Sequence, residues 1–365
     1  MKKLIVIVIC LCLILPVLSG CEKDSRVTIN VYNWGQYISD GSDECIDMIT
    51  EFERLNPDIK VNYVTFDSNE TMYTKMANGG ITVDVIIPSD YMVDRLRKEG
   101  MLLPLNYDNI PNAHPETGKI DPRFRSQAYD PENKYTVPYA WGAVGIIYND
   151  QYVDPADVER DGWGILWSEK YAGKILMFDN SRDAFCIAQC LLNYEINTDD
   201  PQELLHCAQK LAEQRPVVQQ YIMDQVFDLM ENEEAWIAPY YAGDYLTMAD
   251  ENEHLQFYLP ENQGFNRFID AMCIPNCCEN QAAAERFINF MCDPYYAISN
   301  MEWIGYGTPI AEEAVDPEEI EYPEAFPSIE VWEKGDMYIA LDRKTTRLME
   351  SLFMQVRNGL DVRLD

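Results

Sequence analysis

The sequence predicts an α/β protein of two lobes, each a central, mostly parallel sheet flanked by helices. Three observations predict it. The chain has 365 residues, long for a single hydrophobic core. Its first hundred residues alternate strand-like and helix-like segments, β-α-β-α-β-α, the order that builds a parallel sheet. A polar, Pro-rich stretch over 106–133 then separates this unit from a second series of strands and helices. Hydrophobic residues at 47% and aromatic residues at 12% are ample for globular folding.

The first twenty residues read as a targeting segment: Lys2-Lys3, an apolar run from Leu4 to Val17, then Leu18-Ser19-Gly20-Cys21. That tetrapeptide resembles a bacterial lipobox. Residues 1–20 are therefore expected to be removed and Cys21 to carry lipid, with 21–26 as a polar tether. An uncleaved membrane anchor is the alternative, and either reading puts the body outside the cytoplasmic membrane.

The first strand follows, because Val27-Thr28-Ile29-Asn30-Val31-Tyr32 alternates apolar and polar residues. It runs into Trp34 and Tyr37, two aromatics in a polar, Gly-containing loop. Such loops at the carboxyl ends of strands are where open α/β sheets bind ligands, although aromatics there can also simply cover a core edge. Ile46, Ile49, Phe52 and Leu55 recur at helical spacing and stop at Asn56-Pro57. Lys60 to Phe66 reads as a strand, and Asp67 to Thr71 opens a helix with cap-type residues that ends near Asn78-Gly79-Gly80. Val83 to Ser89 is the third strand and Tyr91 to Leu96 begins the third helix.

After the Pro-rich stretch, Tyr135 to Tyr139 resumes strand character, and Gly142 to Asn149 reads as a strand leading into the second lobe. There Lys174 to Phe178 is a strand, while Asp183 to Leu192 and Glu203 to Gln214 are helices. Ala235 to Tyr241 comes next, ending in Ala242-Gly243-Asp244-Tyr245. Phe268 to Pro275 is again a strand, with Asp270 on the same face as Phe268 and Met272. Ala282 to Met291 is a helix, and Leu348, Leu352 and Val356 mark a last amphipathic one that ends at Asn358-Gly359.

Charge and composition narrow the function. Sixty-two acidic against 28 basic residues, a formal charge of −34, argue against a nucleic-acid or anionic-membrane surface role and favour a cationic partner. Of eleven cysteines, Cys10 and Cys12 leave with the targeting segment and Cys21 is the lipid acceptor. The remaining eight form no Cys-x-x-Cys pair, and His114, His206 and His254 do not cluster with them, so free buried thiols are expected rather than a zinc site. No Gly-x-Ser-x-Gly elbow, His-Glu-x-x-His or phosphate loop occurs, which leaves an enzyme reading little support, and no cofactor is expected. Tyr240-Tyr241 and Tyr295-Tyr296 keep ferric iron open as another cargo, and a surface sensor without transport is a third class.

Six phrases carry a resemblance: Tyr-Asn-Trp-x-x-Tyr (32–37), Ser-Asn-Glu-Thr-Met-Tyr (68–73), Pro-Ser-x-Tyr-x-Val-Asp (88–94), Arg-Lys-Glu-Gly-Met (97–101), Pro-Tyr-x-Trp-Gly (138–142) and Gly-Tyr-x-Thr-Pro (305–309). Together they resemble the spermidine/putrescine-binding proteins of bacterial polyamine ABC transporters, over essentially the whole mature chain. The resemblance implies a type II periplasmic-binding-protein fold, with residues 27–139 and 269–313 in one lobe and 140–268 and 314–365 in the other. It further implies an amine held in the cleft at the hinge and delivered to membrane permease subunits driven by a cytoplasmic ATPase.

Carried over by position, Trp34, Tyr91, Tyr241, Phe268 and Tyr306 would wall the methylene chain of the amine, and Asp270 would meet an ammonium. Asp183 matches a glutamate of the family, and it is also a favourable first-turn acid of its helix. Tyr37 and Ser89 lie within the matching phrases. The chain departs from the spermidine type at Gln36 and Asn180, which stand where that type has acids. Its Tyr241-Ala242-Gly243-Asp244 is closer to the putrescine-type Trp-Ala-Gly-Asp, which adds Asp244 to the site. Ligand preference accordingly leans toward putrescine.

Overall fold

The computed structural model describes residues 25–42, 45–314 and 327–364. The targeting segment, the lipobox and Cys21 lie outside the described residues. The first unit runs β1 (Val27–Trp34), α1 (Met48–Leu55), β2 (Ile59–Phe66), α2 (Asn69–Ala77), β3 (Val85–Ile86) and α3 (Asp90–Lys98). Its helices begin at cap residues, since Asp47 accepts the Thr50 N–H and Ser68 accepts the Thr71 N–H. α1 turns Met48 and Phe52 into the core, and β1 lies parallel between β2 and β3.

The second unit contains α4 (Pro155–Asp161), β5 (Ile175–Phe178), α5 (Ser181–Leu192), α6 (Pro201–Gln214), β6 (Val218–Ile222), α7 (Val226–Glu231), β7 (Ile237–Tyr241), α8 (Ala242–Glu251) and β8 (Leu255–Tyr258). β4 (Thr136–Asn149) leads into it and β9 (Arg267–Cys273) leads out. α9 (Gln281–Met291), α10 (Pro294–Ile304), α11 (Ile329–Trp332) and α12 (Arg343–Asn358) follow. Asp293 and Pro294 start α10, and Gly305 ends it at φ +74°.

The strands form one sheet in the order β2-β1-β3-β9-β4-β7-β5-β6, with β8 on β4. Pairing is parallel toward both ends and antiparallel at the centre, where β9 joins β3 and where β4 joins β9, β7 and β8. The two strand segments expected over 135–149 are one strand of 14 residues. It tolerates Pro138 through a bulge: Pro138 faces Ala271 and Ala140 faces Asp270, so Tyr139 is the extra residue. β4 pairs with β9 as far as Ala143 and with β7 from Val144 onward, and so belongs to both halves of the sheet. Trp141 and Trp332 pack at the crossing, 5.4 Å apart, and the Trp332 Nε1–H donates to the Gly142 carbonyl at 2.8 Å. Among the described residues no helix is long and apolar enough to cross a membrane.

Candidate functional site

The loop after β1 is shaped by buried polar groups. Asn33, wholly buried, accepts the Trp34 N–H at 2.9 Å and donates through Nδ2 to the Tyr37 carbonyl at 3.0 Å. Gln36 takes a left-handed conformation, φ +50°, at the tip of the turn. The Tyr37 side chain thereby enters the interior, and its hydroxyl donates to Asp270 Oδ2 at 2.8 Å. On β9 the two-residue alternation sets Phe268 and Asp270 on one face, both buried. Ser89, just ahead of α3, forms an isolated antiparallel bridge with Asp270, which brings its hydroxyl beside the carboxylate.

From the second half of the sheet come two more carboxylates. Asp244 sits in the first turn of α8 and accepts the Tyr306 hydroxyl at 2.9 Å. The Tyr306 ring lies over Gly243, where a Cβ would fall 2.3 Å from Cδ2, so only glycine allows the approach. Asn180 caps α5: its Oδ1 accepts the Asp183 N–H and its Nδ2 donates to Asp183 Oδ2, each at 2.8 Å. Asp183 also accepts the hydroxyls of Tyr241 at 2.7 Å and Tyr338 at 3.0 Å.

Ring contacts join these groups into a row. Tyr139 meets Tyr37 (5.5 Å between centroids), Tyr37 meets Tyr306 (5.0 Å), Tyr306 meets Phe268 (6.1 Å) and Phe268 meets Tyr241 (5.7 Å). Tyr91 approaches edge-on to Tyr338 at 6.2 Å, and its hydroxyl donates to Glu70 at 3.0 Å. Ten of the twelve residues named from the sequence are thus drawn into one connected network. Trp34 instead packs on Phe66, 4.6 Å away, with its buried Nε1–H unpartnered, and Gln36 is exposed.

Burial governs the electrostatics. It pushes the Asp270 carboxyl up to about 6, against the pull of the Tyr37 and Ser89 hydroxyls. It raises Asp244 to about 7, with Tyr306 pulling it down and Asp224 adding a like charge. Asp270 Oδ1 is buried with no partner. Neither Asp183, Asp244 nor Asp270 takes part in an ion pair among the described residues. Carboxylates buried beside aromatic faces are chemically suited to an alkyl ammonium.

Tyr139 and Glu70, which join the row above, were not singled out from the sequence, and neither were Tyr338 and Asp90 beside it. Tyr338 arrives from the segment between α11 and α12. Asp90 is fully buried, its Oδ2 has no partner, and burial raises its carboxyl well above the ordinary range. The tyrosine pairs do not converge as an iron site would require. Tyr241 bonds Asp183 while Tyr296 bonds Glu51, and Tyr295 is exposed. Among the described residues no group of three or more His, Cys, Asp or Glu is arranged to hold a metal, and Cys186, Cys190, Cys207, Cys273, Cys277, Cys278 and Cys292 are free thiols.

Comparison with known proteins agrees with this geometry. Residues 47–328 match the model of the bacterial extracellular solute-binding protein family. A spermidine/putrescine-binding periplasmic protein of Salmonella typhimurium is 30% identical over 322 residues, covering 87% of this chain and 88% of the relative. Among solved structures, the spermidine/putrescine ABC transporter substrate-binding protein PotD of Streptococcus pneumoniae is 35% identical with a TM-score of 0.75, covering 91% of this chain and 99% of that one. A Listeria monocytogenes chain assigned to a spermidine/putrescine ABC transporter is 34% identical with a TM-score of 0.80, covering 90% and 98%. From its sheet, its row of tyrosines and carboxylates and these matches, the chain belongs to the bacterial extracellular solute-binding proteins, a family of transport receptors that includes the spermidine/putrescine-binding proteins.

Proposed function

We propose that the protein captures a polyamine outside the cytoplasmic membrane and delivers it to ABC permease subunits, remaining attached to the membrane through lipid on Cys21. The observation that carries the reading is Asp270: a buried carboxylate, unpartnered at Oδ1, in a row of aromatic rings with Asp244 and Asp183 nearby. An ammonium would supply the missing partner, and the rings would cover the methylene stem. The two lobes, 27–139 with 269–313 and 140–268 with 314–365, close on the amine about β4 and the chain beside it. The site comprises Trp34, Gln36, Tyr37, Ser89, Tyr91, Asn180, Asp183, Tyr241, Asp244, Phe268, Asp270 and Tyr306. Binding rather than catalysis is its task, since the row offers charge and apolar walls but no activated nucleophile.

Asp270 and Asp244 carry different parts of the prediction. Removing a buried carboxylate from its ammonium costs about 3–5 kcal/mol, roughly a hundredfold or more in affinity. Asp270→Asn should weaken every polyamine. Asp244→Ser should hurt putrescine more than spermidine, because Asp244 belongs to the putrescine-like phrase. Calorimetric titration of both variants with putrescine and spermidine tests this. Unchanged binding by Asp270→Asn would remove the site, and equal losses for Asp244→Ser would remove the lean toward the short diamine.

A further inference from the structure

Behind the Tyr37–Asp270 bond stands a second set of buried hydrogen bonds with no evident part in holding a cation. The Tyr37 carbonyl accepts twice, from Asn33 Nδ2 at 3.0 Å and from the Tyr139 hydroxyl at 2.5 Å. The Tyr139 hydroxyl in turn accepts from Asn300 Nδ2 at 2.9 Å, and Asn300 Oδ1 accepts the Ser39 N–H at 2.9 Å. Asn300 reaches in from α10, 161 residues from Tyr139 in sequence, and is 4% exposed; Ser39 is wholly buried. Tyr139 can turn toward this loop because it is the extra residue of the β4 bulge, free of the strand's alternation.

A tyrosine hydroxyl and an amide buried in this way are costly unless bonded, so their geometry is imposed on the loop they bond. They grip the backbone on both sides of Tyr37, at its own carbonyl and at the Ser39 N–H. We propose that Tyr139 and Asn300 are positioning residues of the ligand site, which set the loop over 33–39 so that the Tyr37 hydroxyl lands on Asp270. They act through Tyr37 and not by touching the ligand. The inference rests on the amine reading for its ligand, but the relay itself ends on a carboxylate whose titration is measurable without any ligand.

Tyr139→Phe keeps the ring beside Tyr37 and deletes only the hydroxyl, and Asn300→Leu deletes the amide. The first measurement is the carbon-13 titration of the Asp270 carboxyl in the ligand-free protein. The groups facing or near Asp270 are Tyr37 from the first loop, Ser89 and Asp90 at the start of α3, Tyr129, Tyr139 on β4, and Asp244 beside Tyr306. The Tyr37 hydrogen bond pulls Asp270 down, so loosening it should move the midpoint upward in both variants. The second is calorimetry with putrescine. Tyr139→Phe should weaken binding roughly five- to tenfold, the effect of losing about one hydrogen bond, and should add nothing in a Tyr37→Phe background.

An unmoved Asp270 in both variants, or losses that simply add in the double variant, would overturn the relay. A protein that melts earlier but keeps its Asp270 midpoint and its affinity would show Tyr139 to be ordinary core, also against it. If the wild type bound no amine while Tyr139→Phe still shifted Asp270, the amine reading would fall and the relay would stand.

Discussion

Asp270 holds a charge where burial makes charge costly, and two pH dependences follow from it. Alkyl ammonium groups stay protonated to near pH 10, as lysine does, so between pH 7.5 and 5.5 only the protein's side of the contact changes. As Asp270 and Asp244 take up protons near pH 6 and 7, affinity for putrescine should fall with falling pH. A flat profile in calorimetry would contradict the pairing. Stability runs the other way. The folded chain holds the Asp270 proton more tightly than the unfolded chain, so this group's contribution is complete below pH 4 and is lost as pH rises through about 6. Ligand-free Asp270→Asn should therefore gain on the wild type between pH 4 and 7, by about 2–3 kcal/mol, read from paired urea melts. Phe268 and Asp270 were legible as a pair because strand alternation alone puts them on one face. Tyr338 was not, because nothing near residue 338 records that the chain folds back between α3 and α5. Asp90 was hidden for a related reason: an acid between Ser89 and Tyr91 reads as a helix start, and its complete burial comes from tertiary packing.

Among the elements, glycines decide how closely the rings approach. Gly243 opens α8 under the Tyr306 ring, and a Cβ on Gly142 of β4 would come within 2.7 Å of Phe268. Gly243→Ala should displace Tyr306 from Asp244. Overpacking of about 1–3 kcal/mol outweighs the roughly 1 kcal/mol of helix propensity gained, so the variant should be both less stable and weaker for putrescine. Urea denaturation and titration measure the two effects separately. Glycines also made β4 hard to read. Pro138, Gly142 and Gly145 weaken strand character locally, but the bulge at Tyr139 absorbs the proline and the glycines admit Phe268, Tyr306 and Phe257. The start of α2 was readable from its cap residues and α1 from the spacing of Ile49, Phe52 and Leu55, because both signals are local, whereas α4 and α10, capped by Asp154 and Asp293, went unread. Short β6 and β8 carried no comparable mark.

At the scale of the molecule, contacts between the halves gather where a closing cleft would make them. Tyr91 on α3 meets Tyr338, and Asp94 Oδ2 accepts the Ala340 N–H at 3.2 Å, while Asn197 and Arg182 hold the same segment from the other side. Polyamine should favour this closed arrangement by its differential affinity for it. Solution scattering should then show a smaller radius of gyration at saturating putrescine, and an unchanged radius would count against hinge closure. Cys21→Ala should release the protein from the membrane fraction, because a single acyl chain binds only marginally and paired chains anchor stably. Retention after fractionation would refute the lipid anchor. β4 has a further consequence, for how the chain folds. Since Thr136–Ala143 completes one half of the sheet and Val144–Asn149 the other, neither half is an independent folding unit. Melting one half strips an inner strand from its neighbour. Scanning calorimetry of the ligand-free protein should accordingly show a single transition whose van't Hoff and calorimetric enthalpies agree, and either half expressed alone should be digested by protease as an unfolded chain.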